Sequence, residues 1–295
     1  MTEKNVILIV DDVVVNVQVL VNLLKDNYEL KIATDGSRAL ELAQLEPIPD
    51  LILLDIAMPG LDGYDVLAEL KDIKVTQNIP VIFVTANTSI EDEERGLNLG
   101  AVDYITKPIS PAIVKARVDT HLKIKLQHDA LVYNASHDQL TGLYNRHVLV
   151  EEGQRTFARA KRQEEDLCAI ILDIDHFKRV NDEYGHLVGD KVLIHVANVL
   201  KNNMRTEDFI ARFGGEEFVL ILENCDAKAA IDKAELLRKA IQNTQTEGIN
   251  VTASFGICEL KEGHETFESI LKDADTALYK AKQSGRNKVV LFRGV

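Results

Sequence analysis

Short apolar runs alternate with stretches of helical spacing from residue 5 to about residue 110. NVILIV (5–10) reads as a buried strand, and VVNVQVLVNLLKD (14–26) has the length and spacing of a helix. ELKIAT, GSRALELAQLE, DLILLDI, GYDVLAELKDI, IPVIFVTA, SIEDEERGLNLG and DYITK continue the alternation. Five short strands separated by helices predict a parallel sheet covered on both faces. Residues 110–138 contain no glycine and, after Pro111, no proline, so they predict one long helix. Along it Val114, Arg117, His121, Ile124, His128 and Leu131 fall at 3-4-3-4-3 spacing, a candidate coiled-coil seam of mixed polarity.

Beyond residue 138 the alternation becomes uneven. LCAIILDID (167–175) is a strand ending in acids, and HFKRVNDEYG and GDKVLIHVANVLKNN form a helix-turn-helix pattern. FIARF and EEFVLIL flank two glycines as a hairpin. AAIDKAELLRKAI is helical, NVTASFGICEL is a strand, ETFESILKDADTALYKAKQSG is a helix stopped by its glycine, and RNKVVLF closes the segment as a strand. An antiparallel hairpin within this mixture predicts an α/β sandwich of ferredoxin-like or palm type. The boundaries read from the pattern are 1–122 for a first domain, 110–137 for a helical linker overlapping its last helix, and 138–295 for a second domain.

Composition narrows the chemistry. Hydrophobic residues make up 46% and charged residues 27%, as in a globular protein, and the net charge is −13. That balance argues against nucleic acid or an anionic membrane as partner, since both favour basic surface. Cys168, Cys225 and Cys258 are far apart and sit in or beside apolar segments, so they read as reduced core thiols. MTEKNVILIVDD carries no signal-peptide pattern and no apolar run approaches about 20 residues, so a cytoplasmic location is expected.

Polar residues then fall where ligands belong. In a parallel sheet ligands bind beyond the carboxyl ends of the strands. Asp11 and Asp12 end the first strand, Asp55 the third, Thr85 the fourth, and Lys107 the fifth. Three converging carboxylates repel one another unless a hard cation joins them, and oxygen donors suit Mg²⁺. Strand-end acids also serve as helix N-caps, which accounts for one or two of these residues and not for all five. In the second domain a strand ending in Asp173 can lie beside a hairpin tip bearing Glu216, the minimum for a metal site that activates a hydroxyl and holds a triphosphate. No GxxxxGK[ST] signature is present, so phosphates need metals, backbone amides and cations such as Lys282 and Arg286.

VDD, LLDIAMPGLDGYDVL, VTAN and YITKP resemble the receiver domain of two-component response regulators, over residues 5 to about 120. The resemblance implies a flavodoxin-like (βα)5 fold with Asp55 as phospho-acceptor. It also implies Mg²⁺ held by Asp11, Asp12 and Asp55, and a histidine kinase or other phosphodonor as partner. Lys107 would pair with the phosphoryl oxygens, Thr85 would bond them, Tyr104 would be the switch aromatic, and the Lys107–Pro108 bond would be cis.

DQLTGLYNR, DIDHFKRVND, GHLVGD, RFGGEEF and KAKQSGRN resemble the GGDEF family of diguanylate cyclases, over about 135–295. That implies condensation of two GTP into cyclic di-GMP and two pyrophosphates with Mg²⁺, or Mn²⁺ in its place. Asp173, Glu216 and the carbonyl of Ile174 would bind metal, and Glu216 or Glu217 would help deprotonate the 3′-hydroxyl. Asn181 and Asp190 would read guanine, while Phe177, Lys178, Lys282 and Arg286 would hold phosphates. Because one domain holds one GTP and the product joins two, a homodimer is implied. Arg205 and Asp208 of RTED match the family's RxxD product-inhibition site. A second arginine expected there is replaced near Leu236, with Arg238 close by.

The reading is therefore a phosphorylation-activated cyclase. The alternative is a catalytically weak GGDEF domain that senses cyclic di-GMP. A cyclase for another nucleotide is disfavoured by Asn181 and Asp190. A DNA-binding regulator is disfavoured by the acidic charge and the lack of a basic recognition helix.

Overall fold

The computed structural model describes residues 4–86, 90–205 and 207–294, without the side chains of 90–92. Asn87 of VTAN and Thr206 of RTED lie outside the described residues. The chain forms two compact units, Met1–Leu131 and Val132–Val295.

In the first unit five strands alternate with helices: β1 (Val6–Val10), α1 (Val14–Leu24), β2 (Glu29–Ala33), α2 (Gly36–Gln44), β3 (Leu51–Asp55), α3 (Gly63–Asp72), β4 (Val81–Thr85), α4 (Ile90–Asn98) and β5 (Asp103–Thr106). The sheet is parallel in the order β2-β1-β3-β4-β5, which is the flavodoxin-like expectation. Alternation sorts its side chains. Leu8, Val10, Ile52, Leu54 and Phe83 enter one core, and Ile7, Ile9, Leu51, Leu53, Ile82 and Val84 enter the other. The strand order reverses at β1 and β3, so their carboxyl ends open a crevice there. Asp35 and Asp62 cap α2 and α3 by accepting from the backbone N–H of Arg38 and Asp65.

Helix α5 (Pro111–Ser136) is 26 residues long, about 39 Å at the α-helical rise. Its buried residues are Val114, Val118 and Leu122, spaced by one turn each, and they complete the first unit's core. This differs from the seam read in the sequence. Val114 faces its own unit, and Arg117 and His121 are bonded to Asp103. Of the six seam positions, Ile124, His128 and Leu131 remain exposed.

The second unit contains α6 (Arg146–Gln163), β6 (Leu167–Ile174), α7 (Phe177–Tyr184), α8 (His186–Asn202), β7 (Phe209–Gly214), β8 (Glu217–Glu223) and α9 (Ala227–Gln242). A small ribbon of β9 (Gln245–Thr246) and β10 (Ile249–Asn250) precedes β11 (Ala253–Glu259), α10 (Phe267–Gln283) and β12 (Val289–Leu291). The sheet order is β12-β11-β6-β8-β7, with each neighbouring pair from β11 to β7 antiparallel and β12 parallel to β11, the ferredoxin-like pattern. Cys168, Ile170, Leu172 and Ile174 of β6 face a core shared with α7, α8 and α9. Leu167, Ala169 and Ile171 face a second core with α6 and α10, so both faces of the sheet are covered. Of the three cysteines, all unbridged, Cys168 and Cys258 are buried and Cys225 is half-buried. At the outer edge of β7, Tyr144 makes an isolated bridge to Ala211, and its carbonyl accepts from Arg212 N–H. The opposite edge is β12, three residues long.

Candidate functional site

In the first unit the strand ends deliver the expected acids to one place. Carboxylate oxygens of Asp11, Asp12 and Asp55 lie within 4.8 Å of one another. Asp11 and Asp55 are buried, and Asp12 is half-buried. Lys107 Nζ donates to Asp11 Oδ2 at 2.9 Å and to Asp55 Oδ2 at 2.8 Å. Burial pushes the Asp55 carboxyl above its ordinary range, and the Lys107 ammonium opposes that shift. Burial alone would lower the Lys107 pKa, but its two carboxylate bonds outweigh it and the net shift is upward. Three acids with one ammonium leave surplus negative charge on an all-oxygen donor set, which fits a hard divalent cation. Asp11 Oδ1 is fixed by Val13 N–H and by Asn16 Nδ2. Thr85 is buried at the end of β4. Tyr104 pairs in register with Phe83, is buried against its ring and lies over Gly96. Burial raises its hydroxyl pKa. The Lys107–Pro108 bond is cis.

In the second unit the hairpin and β6 meet at their acids. Asp173 and Glu217 are directly opposite in register, so their side chains share a face. Gly214 pairs with Glu217, leaving Gly215 and Glu216 as a two-residue tip. Gly215 has φ +54°, a left-handed conformation that glycine adopts freely. Arg212 anchors this tip. It donates to the Gly215 carbonyl from Nε (3.0 Å) and from its terminal nitrogen (2.7 Å), and to both Asp138 oxygens at 3.0 and 3.1 Å.

Lys282 Nζ lies 2.7 Å from Asp173 Oδ2. Burial raises the Asp173 carboxyl to about 6; Lys282 pulls it down, and Glu216 and Glu217 push it up. Glu217 is also raised, first by burial. Lys282 faces Asp173 and acts on Glu217, with Glu216 at the tip beside them, an oxygen-rich set with surplus negative charge that suits a hard divalent cation. Lys282, expected on phosphate, thus sits on an acid here. Lys178 and Arg286 are exposed, and among the described residues neither has an acidic partner.

The expected base-reading residues converge through a glycine. A Cβ on Gly189 would lie 1.9 Å from Asn181 Oδ1 and 3.3 Å from the Phe177 ring. The missing side chain therefore makes room for the Asn181 amide against the first turn of α8, beside Asp190. Phe177 is buried, which leaves its backbone as the part available to a phosphate.

At RTED, Arg205 is exposed and its backbone N–H donates to Asp208 Oδ2 at 3.0 Å. A cavity of about 230 Å³ adjoins them, lined also by His137, Tyr144, Lys201 and Met204. Tyr133, His137, Tyr144 and Phe209 stack in a column beside it, with centroid spacings of 4.0, 4.7 and 4.6 Å. Leu236 is half exposed on α9. Arg238 does not stand in for the missing arginine. Its side chain is 14% exposed and is bonded to Glu235, Gln242 and Asn287.

The family model described as diguanylate cyclase, GGDEF domain, matches residues 135–288. The chain belongs to the GGDEF family. A response regulator receiver domain model matches residues 7–119, so a receiver unit precedes the GGDEF unit. The response regulator PleD of Caulobacter vibrioides is 34% identical over 259 residues, 82% of this chain and 56% of that protein. Diguanylate cyclase DgcP of Pseudomonas aeruginosa is 46% identical over 156 residues, 52% of this chain and 23% of its own. The chain spans about half or less of the length of the curated relatives it matches. Among solved structures, the GGDEF domain of DgcB from Caulobacter crescentus, in complex with c-di-GMP, aligns with TM-score 0.52 and 36% identity. It covers 54% of this chain and 94% of that one. The active GGEEF domain of a diguanylate cyclase from Vibrio cholerae aligns with TM-score 0.50 and 35% identity, covering 51% and 98%.

Asp138 and Arg212 were not singled out from the sequence; Asp175 was read only as one of the two acids ending the strand LCAIILDID. Asp138 and Arg212 lie inside the motifs DQLTGLYNR and RFGGEEF. An acid three residues before a threonine, and an arginine just before paired glycines, are the signals that point to them.

Proposed function

We propose that the chain is a phosphorylation-activated diguanylate cyclase that joins two GTP into cyclic di-GMP across a homodimer and releases two pyrophosphates. The observation that carries this is the meeting of Asp173, Glu216 and Glu217 at an Arg212-braced hairpin tip, with Lys282 between helix and acids. In each half-reaction the 3′-hydroxyl oxygen of one GTP bonds to the α-phosphorus of the other. The bond to pyrophosphate breaks, and the hydroxyl proton passes to Glu216 or Glu217. Burial first, and then the charges of Asp275 and Glu216, raise the proton affinity of Glu217, which suits it to this role. Bound at Asp173, the Ile174 carbonyl and Glu216, a divalent cation, taken as Mg²⁺, would offset the charge of the triphosphate. Asn181 accepts and donates at the guanine edge, and Asp190 accepts from its N–H groups. Lys178, Lys282 and Arg286 supply positive charge to the phosphates, and the Phe177 backbone closes around them.

In the receiver unit Asp55 takes the phosphoryl group from a histidine kinase or other phosphodonor. Lys107, already bonded to Asp55, follows the new oxygens, and Thr85 and Tyr104 respond to them. Arg205 and Asp208 offer cyclic di-GMP a site beside the 230 Å³ cavity. With Leu236 where a second cation is expected and Arg238 engaged internally, feedback inhibition is weak. Among the described residues no helix is long and apolar enough to cross a membrane.

The test is turnover of GTP to cyclic di-GMP with Mg²⁺, with and without beryllofluoride as phosphoryl mimic. Stimulation that disappears in Asp55→Asn supports the reading. Equal rates in both states remove the regulation and leave the enzyme. No product in either state, with tight cyclic di-GMP binding, makes the chain a sensor.

A further inference from the structure

Asp175 lies just beyond β6, two residues after Asp173, and is buried, yet its partners are neutral. Its Oδ2 accepts from the Thr252 hydroxyl at 2.7 Å and from the backbone N–H of Asn287 at 3.0 Å. Its Oδ1 accepts from the Ser254 hydroxyl at 2.7 Å. Among the described residues no cation pairs with it. A buried carboxylate without a counter-charge is a costly way to hold a sheet together, since two apolar residues would do so without desolvating a charge.

What it holds is an unusual turn. Gly285, Arg286 and Asn287 have φ values of +112°, +60° and +47° in succession. Asparagine tolerates the left-handed region, whereas arginine there is strained. Such strain persists only where surrounding contacts impose it, and it gathers at functional sites. The contacts here are specific. Asn287 N–H is tied to Asp175, its side-chain oxygen accepts from Arg238 at 2.8 Å, and its amide nitrogen donates to Gln242 at 3.2 Å. Arg286 N–H caps the end of α10 at the Ala281 carbonyl, while its own side chain is left exposed. Two residues at the end of β6 thus fix both ends of one cationic segment: Asp173 meets Lys282, and Asp175 meets Asn287.

We propose that Asp175 is a positioning residue of the nucleotide site, fixing the left-handed Arg286–Asn287 turn and so setting where the Arg286 guanidinium meets a triphosphate. This rests on the cyclase reading of the GGDEF unit. Asp175 touches no substrate; it acts through Arg286 on the β- and γ-phosphates and not on the base.

The test uses the full chain with Asp175→Ala, Asp175→Asn, Arg286→Ala and the Asp175→Ala/Arg286→Ala pair. Turnover of the unsubstituted protein with Mg²⁺ and beryllofluoride is read first, so that loss of the cyclase reading is separate from loss of this one. No product from that protein overturns both. Equilibrium binding of a non-hydrolysable GTP analogue and of GMP is then compared. Asp175→Ala should weaken the GTP analogue about tenfold, the scale of one lost charge-assisted contact, and GMP by less than about twofold. Asp175→Asn should restore most of the affinity, because its oxygen can accept from Asn287 N–H while the hydroxyls rotate. The double variant should bind no worse than Arg286→Ala alone. Additive losses, or equal losses for GMP and the GTP analogue, would overturn the proposal. Should Asp175→Ala not fold, Asp175→Glu keeps the charge but moves it by one methylene, and it must show the same triphosphate-selective loss.

Discussion

The carboxylate of Asp138 shows what a single side chain contributes to a distant turn. Burial works to raise its pKa, but bonds from Thr141 and then Arg212 outweigh that, so the group lies below the ordinary carboxylate range. A carboxylate depressed in the folded state stabilises above its unfolded pKa, and that stability is lost as pH falls through the folded value. Asp138→Asn should therefore cost about 1–2 kcal/mol near pH 7 in urea unfolding, and the difference from the unsubstituted protein should shrink only as pH falls below the ordinary carboxylate range. The acids at strand ends, Asp11, Asp12, Asp55 and Asp173, were legible because each lies where a predicted strand stops. Asp175 was legible as an end of the same strand as Asp173, but its tie to Asn287, 112 positions away, was not, and neither was the Asp138–Arg212 pair, 74 positions apart.

At the scale of elements, the α7–α8 pair works by close approach. Gly189 leaves the volume that Asn181 occupies, and a methyl group there must displace the amide. Gly189→Ala should raise the KM for GTP by about tenfold or more while leaving the thermal midpoint unchanged or higher, because alanine favours a helix over glycine by about 1 kcal/mol. Steady-state kinetics and thermal melts on the same preparation separate the two effects. The hairpin at Gly214–Gly215 was legible from the paired glycines between apolar runs. The phase of α5 was not. Spacing alone allows Val114 to face either a partner helix or its own domain, and the burial of Val118 and Leu122 beside it decides for the latter. The β9–β10 ribbon went unread because two residues per strand carry no periodicity.

At the scale of the whole molecule, the proposed product, built from two GTP at sites that would each hold one, would require two chains. Cyclic di-GMP formed per chain should rise with protein concentration through the dimerisation range, and beryllofluoride should move that range lower. In Asp55→Asn the curve should not respond to beryllofluoride. Leu131→Arg, at an exposed position of α5, should shift the curve to higher concentration and change unfolding stability by less than about 0.5 kcal/mol. Sedimentation and initial rates over the same dilution series test both points.

The flanks of the GGDEF sheet have a consequence of their own. An open strand edge is a template for another backbone, and copies that add there tend toward fibrils. Here Tyr144 engages one flank at Ala211, and the other ends in a strand of three residues. On the proposed function, a chain that would meet its twin, react and separate is thereby kept from zipping to it.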